Sequence, residues 1–524
     1  MKKIVFIIVA LLIAIVTMAY LYFSGLNFEQ KSNKHSLYVA AANSSIIFSF
    51  ENDQSVIDIL KGQNLLQELI GEEKFSQLVA LNEELLSIPG LRRIIDHQSI
   101  YLGLNPGLDQ SIDFVYSTQI GSDFKSDQLL QTLKTGKATL DFSKEIITIS
   151  LKDSTIFFAG IKDNLLVLST AIDLVKKALT MPTERTNNFA EFIKANSRIA
   201  KNSLAEVYVN FESLPTLLKV TMPGKLSGEL TPLNNQHAYS ALVYNYSREK
   251  ILLTGTTALQ NNNYFKLFVN SPATKIDISN ILPENTANYT AYGIANYPRF
   301  RKSLTQWLKN NKEDRKIDEV IKGINKTYRI DSEKLLPAFF KDQIITFQLS
   351  TSEKIGAINL TNGDKLEQLL LELSTTYNED IKSLKVSDLL YSFYGAAFSN
   401  FKRPYYAIFD NYMVFANNAS TLEDFLNSYK NNRLLISSAS YGNAMEQLPV
   451  NSNIHFFINL ENSSRIIQQN VYHPFFRHIY SDKGLKSYSS LSLQLSSDND
   501  KFLSNLLMVK KPIAIATDSL SISP

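Results

Sequence analysis

The hydrophobic pattern of the chain changes period several times. Ile4 to Phe23 is an unbroken apolar run, IVFIIVALLIAIVTMAYLYF, without a single charge. As an α-helix, about 20 such residues span about 30 Å, the thickness of a bilayer's hydrocarbon core. Lys2 and Lys3 precede the run and no basic residue follows until Lys31 and Lys34. By the positive-inside tendency this keeps the N-terminus in the cytoplasm and exports the rest. A cleaved signal peptide has an apolar core of about 7–15 residues closed by a small-x-small site. The longer run, and the bulky Tyr20, Tyr22 and Phe23 after Met18-Ala19, favour a retained membrane anchor over residues 1–30.

Beyond residue 36 the pattern alternates between two periods. Ile147-Thr148-Ile149-Ser150-Leu151 shows the period of two expected of a strand with one buried face. Val175, Ala178 and Leu179 show the i, i+3, i+4 spacing of a helix with one buried face. Strands are expected at Ile46–Phe50, Ser99–Leu104, Phe114–Gln119, Glu145–Leu151, Ser154–Ala159, Leu165–Ser169 and Glu206–Phe211, with a terminal hairpin near Ser240–Thr256. Lys162-Asp163-Asn164 and Ser247-Arg248-Glu249 are turn signals between them.

The same order recurs further along. Asp163-Asn164-Leu165-Leu166-Val167-Leu168 aligns with Asp410-Asn411-Tyr412-Met413-Val414-Phe415 at an offset of 247, and Val175, Ala178 and Leu179 then fall on Leu422, Phe425 and Leu426. Val207-Tyr208-Val209-Asn210-Phe211-Glu212 aligns with Phe456-Phe457-Ile458-Asn459-Leu460-Glu461 at 249, and Phe48-Ser49-Phe50-Glu51-Asn52 resembles Tyr292-Gly293-Ile294-Ala295-Asn296 at 244. A slowly drifting offset across some 200 residues indicates duplication. The reading is α+β: an N-terminal transmembrane helix followed by two homologous halves of antiparallel sheet with packed helices. Repeat A covers 36–258, a structured connection 259–283 (with a strand expected at Tyr264–Val269), repeat B 284–510, and a fraying tail 511–524.

Composition narrows the functional classes. Lys and Arg number 53 against 50 acidic residues, so no basic footprint suggests a nucleic-acid partner. The 25 Tyr and 31 Phe favour β-rich structure. With no cysteine, disulfides, thiolate metal sites and cysteine nucleophiles are excluded, and an oxidising compartment is permitted. No phosphate loop, dinucleotide fingerprint, H-E-x-x-H pair, G-x-S-x-G elbow or calcium loop occurs. The six histidines (35, 97, 237, 455, 473 and 478) are scattered, and no cofactor, metal or catalytic residue is assigned.

Two features stand out. Asn210/Glu212 and Asn459/Glu461 are shared by both halves, and an Asn followed by an acid suits a strand-end turn or helix cap. The halves differ at Tyr472-His473-Pro474-Phe475-Phe476-Arg477-His478, an aromatic and basic segment that repeat A lacks. Tyr472, His473, Phe475, Phe476, Arg477 and His478 are candidate contacts for an envelope protein, glycan or lipid headgroup, since aromatics and Arg are favoured at interfaces. The bland alternative is a helix burying Phe475, Phe476 and Ile479. Trp307, with Leu304 and Leu308 on one helix face, reads as core.

The anchor at Ile4–Phe23 followed by recurring strand–turn–helix units such as Leu165–Leu179 resembles an uncharacterised bacterial envelope family of unknown function, with a Bacteroidetes-like appearance. That resemblance implies a single-pass protein of the bacterial plasma membrane with a periplasmic ectodomain and no catalytic residues. The expected function is non-catalytic, with the duplicated domain binding a partner or supporting envelope assembly. A carrier or chaperone with an apolar cleft, for lipid or exported protein, and an enzyme with an unfamiliar site are the alternatives.

Overall fold

The computed structural model describes residues 34–51, most of 72–259 and all of 263–512. The described residues divide into two compact units, one ending at Ser213 and the other beginning at Leu214.

In the first unit α1 (Lys34–Asn43) leads into β1 (Ile46–Glu51), followed by β2 (Ser99–Pro106), β3 (Ile112–Gln119), β4 (Thr139–Asp141), β5 (Ile147–Ser150), β6 (Ile156–Lys162) and β7 (Leu165–Ser169). Helices α2 (Ile172–Leu179) and α3 (Asn188–Asn196) precede β8 (Ala205–Asn210). The ladders run β8–β1–β2–β3–β7–β6–β5–β4, every pair antiparallel. Helix α2 forms where the 3.6-residue spacing begins, and it buries Val175 and Ala178 against the sheet. Gly160 on β6 gives it room, because a Cβ there would come within 2.6 Å of Leu179.

The second unit opens with the hairpin β9 (Ala238–Tyr246) and β10 (Lys250–Leu259), then β11 (Thr274–Lys275), β12 (Thr286–Gly293) and α4 (Tyr297–Asn310). Strands β13 (Phe340–Leu349), β14 (Lys354–Leu360), β15 (Ser374–Thr376), β16 (Lys382–Leu384), β17 (Tyr405–Phe409) and β18 (Tyr412–Ala416) follow. After α5 (Ala419–Lys430) and α6 (Ala439–Met445) come β19 (Asn451–Ser452), β20 (Ile454–Asn459), α7 (Ser464–Asn470), α8 (His473–Ile479), β21 (Tyr488–Asp498) and β22 (Lys501–Lys510). The order is β9–β10–β22–β21–β20–β12–β13–β14–β18–β17–β16–β15, again antiparallel throughout. From β20 to β15 this repeats, step for step, the order from β8 to β4 in the first unit.

The repeated turn has the same chemistry in both units. β17 and β18 are joined by two residues, Asp410 and Asn411, at φ 43° and 62°, and the β6–β7 turn carries Asp163 at φ 52°. Asp and Asn tolerate this left-handed backbone, which two-residue hairpins require. The main core of the second unit gathers Tyr289, Phe347, Val414, Leu422, Phe425, Tyr441 and Phe457 from sheet and helices. β13 and β14 are buried along nearly their whole length, so their sequences read as apolar runs and not as alternations.

The expectation of an N-terminal transmembrane helix is corrected. Among the described residues no helix is long and apolar enough to cross a membrane. The longest, Asp314–Tyr328, has 15 residues and one polar face, and at about 1.5 Å per residue it falls short of a bilayer core. Ile4–Phe23 lies outside the described residues, as do 513–524 of the expected tail. The fold is thus antiparallel sheet with packed helices, and the single-pass, signal-anchor membrane assignment is withdrawn with the helix that carried it.

Two further expectations change. Tyr264–Phe268 is a 3-10 helix, not a strand: Asn263 caps it by accepting from Phe265 N, and Tyr264, Phe265 and Phe268 turn inward together. Their rings meet Tyr292, Trp307 and Phe300, so the tertiary aromatic cluster overrides the local alternation. The hairpin β9–β10, placed by sequence with repeat A, lies in the second unit, because β10 pairs with β22 along nine residues from Lys250↔Val509 to Ala258↔Lys501.

Candidate functional site

The aromatic and basic segment is a short helix. Pro474 sits in the first turn of α8, where its missing N–H costs nothing. His473 and Arg477 are exposed, while Tyr472, Phe475 and Phe476 are half-buried. The Phe476 ring stacks on Tyr480 with centroids 5.1 Å apart, and the Tyr480 hydroxyl donates to the Leu460 carbonyl at 2.9 Å, tying α8 to the end of β20. His478 belongs to the same helix. The burial of Phe475 and Phe476 envisaged by the bland alternative is only partial, and α7 beside them buries no residue at all.

The sheet near these helices has an inverted pattern. On β21, Ser490, Ser492 and Gln494 are buried, whereas Leu491 and Leu493 are only half-buried. Leu491, Leu506, Leu253 and Ile467 of α7 form the partly covered rim of a small apolar cluster around Ile251, Leu460, Tyr488 and Met508. The buried side of the same strands carries a polar chain. The Tyr441 hydroxyl lies 3.0 Å from that of Tyr289, which lies 3.3 Å from His455 Nδ1. Tyr289 stacks on Phe457 and meets His455 edge-on, and Tyr441 meets Phe457 edge-on. Burial pushes the Tyr289 and Tyr441 hydroxyls up from their usual range and lowers His455 to about 4, with burial alone responsible at His455. His455 Nε2, Ser492 Oγ and Gln494 Oε1 are buried without a hydrogen-bond partner.

The first unit has a counterpart. At the 249-residue offset, His455 of β20 falls on Glu206 of β8, and Glu206 is also buried. Its carboxylate accepts from the Ser197 hydroxyl at 3.1 Å and from the Tyr208 hydroxyl. Burial, with Glu206 adding its charge, raises Tyr208 far above the usual tyrosine range. Glu206 was not singled out by sequence, and His455 appeared only among the scattered histidines. The alignment that pairs Val207 with Phe456 was the signal that could have found both.

The shared Asn–acid pairs are turns. Asn210 Oδ1 accepts from Glu212 N at 3.0 Å, and Asn459 Oδ1 from Glu461 N and Asn462 N, both at 3.1 Å. Both glutamates point to solvent, and Glu461 meets Lys511 at 3.6 Å. Trp307 is half-buried against Tyr264. A cleft of about 120 Å³ lies at the start of α4 among Lys266, Ser271, Asn296 and Arg299, and an apolar cavity of about 20 Å³ lies between Leu366, Leu390, Phe393 and Met413. Both are smaller than the roughly 300–1,000 Å³ of pockets for small organic ligands. Among the described residues no three His, Asp or Glu side chains are grouped to hold a metal ion.

A family model described as a protein of unknown function (DUF3352) matches residues 357–500, which run from within β14 to the β21–β22 turn and include α6, His455 and α8. No curated protein and no solved structure matches the chain.

Proposed function

We propose that the chain is a non-catalytic binding protein that takes part in assembling components of the cell envelope, and that its second unit meets its partner through α7 and α8. The observation that carries this reading is α8 itself. It presents Phe475, Phe476, His473 and Arg477 at the surface without burying any of them, although the Phe476–Tyr480 stack and the Tyr480–Leu460 hydrogen bond hold it in one place. Ordered, half-exposed aromatics beside an Arg are the usual makings of an interface centre. The basic rim suits a protein with acidic groups around an apolar spot. An extracytoplasmic setting accords with the cysteine-free composition.

A photo-crosslinking residue placed at Phe475 in the full chain, in its native cells, tests the reading. One defined protein should be captured from that position, and Arg477→Glu in the same chain should abolish the adduct. Capture that survives Arg477→Glu, or that occurs equally from Ile156 of β6 in the first unit, which is also exposed, would overturn it. The carrier reading has no observation of comparable weight, since the cavities described are too small for an acyl chain.

A further inference from the structure

His455 occupies the middle of a sheet. β20 is bonded to β12 on one side and to β21 on the other, with His455 opposite Ala291 and Gln494. A strand held by two ladders cannot leave, so this imidazole can reach water only if the layer above it moves. That layer is α6, whose Tyr441 closes the Tyr441–Tyr289–His455 chain and whose Met445 sulfur lies 4.0 Å from the Tyr289 hydroxyl.

The segment bearing α6 is built like a flap fastened at both ends. Upstream, Leu435 N donates to the Leu282 carbonyl at 2.8 Å beside the Pro283↔Leu434 bridge. Downstream, β19 pairs with β11 through Ser452↔Thr274 and Asn451↔Lys275. Between these fastenings the helix has only seven residues, and Gly442 within it faces open space, which weakens it relative to alanine. Ile436 and Val450, at the two ends of the segment, are 47% and 72% exposed.

His455 meets the ring and hydroxyl of Tyr289 and lies opposite Ala291 and Gln494, while Tyr441 and Met445 of α6 and Phe457 pack on Tyr289, and none of these groups carries a negative charge. Neutral imidazole is tolerated there. A proton taken from water gives both ring nitrogens an N–H. Nδ1–H can point at the Tyr289 oxygen, but Nε2–H meets no acceptor, and the buried charge meets no counter-ion.

We propose that α6 is a proton-released flap: protonation of His455 breaks the Tyr441–Tyr289–His455 chain and lifts the segment between Leu435 and Asn451 off the sheet, exposing the polar face of β20 and β21. The device is independent of the contact assigned to α8. The depressed basicity of the buried ring accords with it, because a hydrated imidazole in the open state binds the proton with its ordinary affinity. Lowering the pH from 7.5 to 5.0 therefore raises the open population about 30-fold.

Hydrogen exchange of the full-length protein, followed by mass spectrometry at pH 7.5 and 5.0 and corrected for intrinsic exchange, reads this directly. Amides of Ser438–Val450 should gain about 30-fold in opening at pH 5.0 and open far more often than those of α5, docked on the same core, which gain only through unfolding of the whole unit. His455→Gln should remove the pH response of α6. Opening of α6 no more frequent than that of α5 at pH 5.0, as unfolding of the whole unit alone gives, overturns the proposal, and this comparison decides the matter even if the variant does not fold. An unchanged pH response in His455→Gln overturns it equally.

Discussion

Glu206 of β8 and His455 of β20 stand at corresponding places in the two units, one strand away from β1 and β12 respectively, and both are buried. The acid is solvated by protein: two hydroxyls, from Ser197 and Tyr208, donate to it. The base has one tyrosine neighbour and an unpartnered second nitrogen, so its environment suits the neutral ring and not the ion. Burying a charged ring where neither acceptors nor opposite charge replace water is costly, and this keeps His455 neutral. The same strand order therefore supports a settled polar site in one unit and a conditional one in the other.

The comparison can be broken most severely at the rings that bury His455. Phe457→Ala should cost about 3–5 kcal/mol by opening a cavity between Tyr289 and Tyr441, read as a fall in the denaturant midpoint with melting of the second unit. Next comes acid. His455 binds fewer protons folded than unfolded between its folded value of about 4 and its ordinary 6.5. Its neutral burial thus favours the fold fully above about pH 6.5 and progressively less as pH falls towards 4, by about 3 kcal/mol in total. Chemical denaturation from pH 7.5 to 4 should show this slope in the wild type and its loss in His455→Gln.

Glu206→Ala sharpens the other side, because it strands the Tyr208 and Ser197 hydroxyls; a loss of about 1–3 kcal/mol is expected in thermal unfolding. Asn459→Ala, which frees the N–H groups of Glu461 and Asn462, should cost about 1 kcal/mol by the same measurement. Smallest of all, Arg477→Glu on the exposed side of α8 should leave stability within about 0.5 kcal/mol, and its effect should appear only in crosslinking to the partner.

Much of the fold was readable from the residues alone. The helix of Val175, Ala178 and Leu179 was recognisable because its period and burial agree, and Leu165–Ser169 because a short apolar run between turn signals, buried throughout, suits an inner strand. The Asp–Asn turns were recognisable because few other residues accept a left-handed backbone. The segment at α8 was found by its difference between the halves, and its helix formed, but how far Phe475 and Phe476 are covered depends on what the sheet beneath offers. Tyr264–Phe268 was misread because its local alternation says strand, while the aromatic cluster of Tyr292, Phe300 and Trp307 rewards a turn of 3-10 helix instead.

The sequence by itself therefore determined the helical periodicities and the turns, since these depend on neighbours a few residues away. Only the tertiary structure decided which side of β21 faces inward. Period two makes Leu491 and Leu493 the natural core face, yet Ser490, Ser492 and Gln494 are the buried ones. That choice was made by residues distant in the chain. Tyr441, some 50 positions earlier, covers the polar face together with Tyr289 and His455. Whether a histidine in such a strand is an exposed base or a buried neutral ring is set by what packs above it, and no pattern within the strand encodes that.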